Sequence, residues 1–143
     1  MTLENVSPVS KPRVLVIDDD SLIADTLAMV LRRFGFDAVV SYSGDHAVEL
    51  ARFSPFSAII SDVMMEPMNG IQAAVAIRAL CPNCKVLLMS GNERTASLMA
   101  QAARDGFHFD ILAKPVHPTM ILDALCPTSQ LGTPRSDLPL FDA

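Results

Sequence analysis

The feature that most constrains this chain is an alternation in which five short apolar runs of strand length are each followed by a longer segment with helical periodicity. Runs that are apolar at nearly every position have two faces to bury, as parallel strands covered by helices on both sides do. The runs are Arg13–Ile17, Phe36–Val40, Ser57–Ser61, Lys85–Met89 and Phe109–Ala113. Ser21 and Ser43 are placed to cap the first two helices, and Gly35 suits the left-handed residue after the first. Ile23, Leu27, Val30, Leu31 and Phe34 share one face of that first helix. Helices are also predicted over Ile71–Leu80, Glu93–Arg104 and Pro118–Leu125. Right-handed crossovers then favour an α/β fold, a doubly wound five-stranded parallel sheet of flavodoxin-like order 2-1-3-4-5 with five helices. The domain is expected over residues 13–125, with residues 1–12 and 126–143 as flexible tails.

Half of the chain's 143 residues are apolar, enough for a core without disulfide or metal staples. The 11 basic against 16 acidic side chains give a net charge of -5 with no basic stripe, which argues against nucleic acid and anionic lipid as partners. No apolar run is long enough to cross a bilayer, and the first eleven residues lack the pattern of a secretory signal. The 3 cysteines are therefore expected as reduced thiols, and the location as cytoplasmic.

In sheets of this kind chemistry gathers just beyond the carboxyl ends of the strands. Those positions hold Asp18, Asp19 and Asp20 after the first run, Asp62 after the third, Ser90 after the fourth and Lys114 after the fifth. Singly, each is ordinary: an aspartate there is usually a cap or turn former, and a lone lysine a solvated charge. Their joint placement on one rim is what points to a site. Crowded carboxylates repel unless a cation or proton intervenes, and magnesium suits hard oxygen donors that share it with phosphate.

These segments resemble the receiver domains of two-component response regulators. The resemblance covers residues 13 to about 125 and rests on Val-Leu-Val-Ile-Asp18-Asp19-Asp20, Asp62-Val-Met-Met-Glu-Pro-Met-Asn-Gly70, Leu-Leu-Met-Ser90-Gly and Lys114-Pro115. It implies that Asp62 accepts a phosphoryl group from a sensor histidine kinase or a histidine phosphotransfer protein. Asp18, Asp19, Asp62 and the backbone carbonyl of Met64 would hold Mg2+, with Asp19 a more direct ligand than Asp18 and Asp20 outside the core site. Ser90 and Lys114 would contact phosphoryl oxygens, and the Lys114–Pro115 bond would be cis. Met64 and Asn92 would flank the path of the hydrolytic water. Neither can act as a general base there, which predicts a long-lived phosphoryl group. Output would run through a downstream protein target that reads the face of the fourth helix, fifth strand and fifth helix. The segment after Cys126 is too short for a DNA-binding helix-turn-helix, so no direct DNA binding is expected.

Three positions depart from the family pattern. Pro67 lies five residues after Asp62, one later than usual, with Glu66 in the usual place. Ile111 stands where a tyrosine or phenylalanine is common, and Phe109, two residues earlier, is expected on the same strand face. The segment Gly106–Asp110 is one residue longer than usual.

Two other functions compete. A haloacid-dehalogenase-type phosphohydrolase would use Asp18 and Asp20 with Ser90 and Lys114, but needs a further acidic pair that Asp105 and Asp110 supply poorly. A phosphorylation-independent binding module on the receiver fold is suggested by Ile111 and the shifted proline. Cys81-Pro-Asn-Cys84 has the spacing of a redox or metal half-site, yet it follows a helix instead of opening one and reads as a structural turn. His46, His108 and His117 are dispersed and read as surface or capping residues.

Overall fold

The computed structural model describes residues 11–91 and 94–125. The elements are β1 (Arg13–Ile17), α1 (Ser21–Arg33), β2 (Asp37–Ser41), α2 (Gly44–Phe53), β3 (Ala58–Asp62), α3 (Gly70–Leu80), β4 (Lys85–Ser90), α4 (Thr95–Arg104), β5 (Asp110–Ala113) and α5 (Pro118–Leu125). The strands form one parallel sheet in the order β2-β1-β3-β4-β5, the order expected from the alternation. The segments expected as tails lie outside the described residues apart from Lys11 and Pro12. Pro12 already joins the fold, its carbonyl accepting a hydrogen bond from the Asp37 N–H at 2.9 Å.

Strand periodicity divides the core in two. Val14, Val16, Ala58, Ile60, Leu87 and Met89 pack with α1 and α5, through Leu27, Leu31, Ile121 and Leu122 among others. Leu15, Ile17, Ile59, Val86 and Leu88 face the other way, toward Ala47, Ala51, Ala74, Ile77 and Ala102 of α2, α3 and α4. Alternate residues of one run thus serve both layers, which is why the runs are apolar throughout.

Local chemistry moves several boundaries by one residue. Asp20, not Ser21, is the N-cap of α1: its backbone is extended, and its carboxylate accepts from the N–H groups of Leu22 and Ile23 at 3.1 and 3.3 Å. The buried stripe of α1 is Ala24, Leu27, Ala28 and Leu31. Phe34 instead forms the C-cap, where the backbone leaves helical geometry at φ -106 and ψ 21, and it is 43% exposed. Ser43 caps α2 as expected, accepting from the His46 N–H at 3.2 Å. Gly35 has φ +93, the left-handed conformation expected of it.

The loop after β3 ends in a device absent from the sequence reading. Asn69 and Gln72 form a capping box at the start of α3, with bonds of 2.8 and 2.9 Å. Both Glu66–Pro67 and Lys114–Pro115 are cis, the second as the resemblance implies. Cys81 and Cys84 are buried free thiols, and the Cys84 N–H donates to the Cys81 carbonyl at 3.0 Å, closing the turn between α3 and β4. Burial pushes the Cys84 thiol up to about 11, so it stays protonated at neutral pH.

Gly70 is where backbone meets backbone. Its N–H donates to the Val63 carbonyl at 2.8 Å, and a Cβ at this position would stand 2.1 Å from the Asp62 carbonyl oxygen. That oxygen is main chain and cannot rotate away. Gly70→Ala is therefore expected to lower the free energy of unfolding by about 2–3 kcal/mol, measured by urea denaturation, through forced displacement of the loop that carries the end of β3.

Candidate functional site

The parallel sheet brings its four chemically distinctive strand ends to one edge. Asp18 follows β1, Asp62 is the last residue of β3, Ser90 the last of β4, and Lys114 follows β5. The register pairs Ile17 with Ser61, Asp62 with Met89, and Ser90 with Ala113, so these ends lie side by side. Backbone bonds continue past the strands: the Val63 N–H donates to the Met89 carbonyl at 3.0 Å, and the Lys114 N–H to the Ser90 carbonyl at 2.9 Å.

Carboxylate oxygens of Asp18, Asp19 and Asp62 lie within 4.8 Å of one another. Asp18 and Asp62 are buried, while Asp19 is exposed. The Lys114 Nζ sits 2.9 Å from Asp62 Oδ1, with the Asp62 side chain 10% exposed. One oxygen of Asp18 accepts from the Asp20 N–H at 3.0 Å, whereas the other is buried with no partner. Burial, reinforced by the Asp62 and Asp19 charges and opposed by the Asp20 N–H bond and Lys114, raises the Asp18 pKa from 3.8 to about 6. A buried carboxylate oxygen without a donor, beside two further carboxylates, is the donor set that a hard divalent cation completes. The residues present therefore fit magnesium.

Asp20 is not part of this group, since its side chain is spent on the α1 cap. The phosphohydrolase arrangement loses its second aspartate by the same fact. Its other candidates also fall away: Asp105 forms the C-cap of α4, and Asp110 begins β5 at the opposite end of the sheet, 4.0 Å from Lys85. Met64 is partly buried against the α2–α3 side of the core. Asn92 lies outside the described residues. Ile111 is 41% exposed and pairs in register with Leu88, while Phe109 is buried, stacked on Phe107 at 5.9 Å under the Arg78 guanidinium.

One residue of the site escaped the sequence. Thr95, the first residue of α4, is buried, and its hydroxyl is hydrogen-bonded to that of Ser90. A hydroxyl residue near the predicted helix start was visible, but capping is the ordinary meaning of that signal.

The fold and this edge define a class, a doubly wound domain with an acidic pocket and a paired lysine at the carboxyl ends of its strands. Residues 14–126 match the family model of the response regulator receiver domain, and the chain belongs to that family. A response regulator receiver protein of Anaeromyxobacter is 32% identical over 111 residues, covering 78% of this chain and 46% of the relative. The chain spans about half the length of the curated relatives it matches. Among solved structures, a response regulator of Burkholderia pseudomallei with a phosphorylated aspartic acid, calcium ion and citrate superposes with a TM-score of 0.72 at 30% identity, covering 90% of this chain and 76% of that one. An adenylate cyclase structure from Rhodopirellula baltica gives a TM-score of 0.72 at 32% identity, covering 81% and 85%.

The charge crowding has a measurable consequence. At pH 7 the folded protein holds Asp18 ionised above its raised pKa, whereas the unfolded chain ionises it freely at 3.8. In chelator, Asp18→Asn should therefore stabilise the fold by about 2–3 kcal/mol, read as a higher urea midpoint at pH 7. Oδ1 of the amide can still accept the Asp20 N–H. A midpoint unchanged or lowered would show that the carboxylate carries no net penalty.

Proposed function

We propose that this chain is a phosphoacceptor in a phosphorelay, taking a phosphoryl group on Asp62 from a sensor histidine kinase or histidine phosphotransfer protein and signalling through protein contacts. The observation that carries the reading is the Asp62 carboxylate, held at the open edge of the sheet between the Lys114 ammonium at 2.9 Å and the carboxylates of Asp18 and Asp19. The receiver unit is assigned to residues 13–125.

In the forward reaction an Asp62 oxygen attacks phosphorus, the P–N bond to the donor imidazole breaks, and the imidazole leaves with the electron pair and is protonated. The catalytic requirement is to bring anionic partners together. Asp18, Asp19, Asp62 and the Met64 carbonyl would hold Mg2+, which when bound screens the charge on the phosphoryl oxygens. Lys114 supplies the remaining positive charge and exchanges its Asp62 contact for a phosphoryl oxygen. Ser90 donates its hydroxyl to another. The chain catalyses only its own phosphorylation and dephosphorylation in this reading, and it works in the cytoplasm. Among the described residues no helix is long and apolar enough to cross a membrane. The net charge of -5 supports a protein target for the output in place of direct DNA binding.

Incubation with acetyl phosphate and magnesium should add one phosphoryl group by intact-mass spectrometry, and Asp62→Ala should abolish it. Turnover of a generic phosphomonoester would favour the hydrolase instead, and a fully folded chain that takes no adduct would favour a phosphorylation-independent module.

Persistence of the adduct tests the surroundings. Met64, packed against the core, offers no group that orients an attacking water, and Asn92 offers no base. The expected lifetime is of minutes or more, with Met64→Asn and Asn92→Glu shortening it, measured as phosphate release. Loss within seconds from the wild type would contradict this.

A further inference from the structure

Ser90 ends β4 and Thr95 begins α4, and both side chains are buried. Their hydroxyls are bonded to each other. The main chain of Ser90 is fixed independently, its carbonyl accepting from the Lys114 N–H at 2.9 Å, so the hydroxyl can turn without moving the strand. Thr95 and Ala102 are the buried residues of α4, which leaves Thr95 as the anchor of that helix's first turn on the sheet edge.

We propose that Thr95 is a positioning residue that sets the switching equilibrium of this receiver by competing with the phosphoryl group for the Ser90 hydroxyl. The proposal rests on the phosphoacceptor reading above. A serine hydroxyl has a single proton to donate, so while Ser90 donates it to Thr95 it cannot donate it to a phosphoryl oxygen on Asp62. Breaking the Thr95 bond is then part of the work of activation, and the freed Thr95 hydroxyl needs a new partner or must move. The same exchange releases the first turn of α4 from its buried anchor, so the hydroxyl pair couples occupancy of Asp62 to the position of that helix.

The energetic consequence is a difference of affinities. Removing the Thr95 hydroxyl while keeping its volume leaves Ser90 without that partner in the resting state and leaves the phosphoryl-bound state untouched. The resting state is thereby weakened by about one buried hydrogen bond.

The test uses the full chain with magnesium and beryllofluoride, an acyl-phosphate mimic, titrated and followed by fluorine NMR. Thr95→Val should bind beryllofluoride about fivefold more tightly than wild type, the equivalent of one hydrogen bond of roughly 1 kcal/mol. Thr95→Ser should bind like wild type, since it restores the hydroxyl. Combined with Ser90→Ala, Thr95→Val should have no further effect, because the competing partner is gone. A role confined to packing α4 would persist in the Ser90→Ala background, and that persistence would overturn the proposal. So would unchanged or weaker binding by Thr95→Val with a wild-type circular dichroism melt. Should Thr95→Val fail to fold, Thr95→Ala is read in the same Ser90 and Ser90→Ala pair. Wild-type protein that binds beryllofluoride yet ignores Thr95 sinks this proposal alone, whereas wild type that neither binds it nor takes a phosphoryl group on Asp62 sinks both.

Discussion

Three carboxylates within 4.8 Å of one another, with the Lys114 ammonium against Asp62, set the terms for the whole edge of the sheet. Like charges at that spacing separate unless the chain that carries them is stiff. Here two of the three sit at the ends of β1 and β3, two of the three internal strands of the sheet, whose residues are almost wholly buried. The core is therefore what keeps the repulsion in place, and the loop after β3 is locked by contacts of the same rigid kind: Gly70 against the Asp62 carbonyl, and the Asn69–Gln72 box at the start of α3. An edge that cannot relax is an edge already arranged for the charge it is to receive.

The alternation and the strand ends were legible because they depend on burial and period, which a sequence carries directly. Val14 and Leu15 point to opposite layers for no other reason than strand geometry. Boundaries were less legible because they depend on which backbone group finds a partner. Phe36 looks like strand and is buried, yet the ladder pairing with β1 begins at Asp37 opposite Arg13. Asp20 and Ser21 are both capping residues, and only the extended backbone at Asp20 decides between them. Among the site residues, Asp18, Asp62 and Lys114 could be found from their strands alone, whereas Thr95 could not. Its meeting with Ser90 depends on how the chain travels between β4 and α4.

The exposed Ile111 bears on how occupancy of the site reaches the surface. In the resemblance a tyrosine or phenylalanine is common at that place. Here the ring two residues earlier, Phe109, is buried with Phe107 and Ala102 beneath Arg78, and Ile111 offers only a branched aliphatic chain. A side chain packed on several neighbours is costly to move, because each of its contacts must be remade. A hydroxyl that exchanges one partner for another moves at the cost of a rotamer change. The strand-end edge touches α4 directly through Ser90 and Thr95, whereas β5 itself carries no ring. Thr95 is moreover one of the two buried residues of α4, the other being Ala102. A change of partner at Ser90 would thus be felt directly at the first turn of α4, where Thr95 is buried.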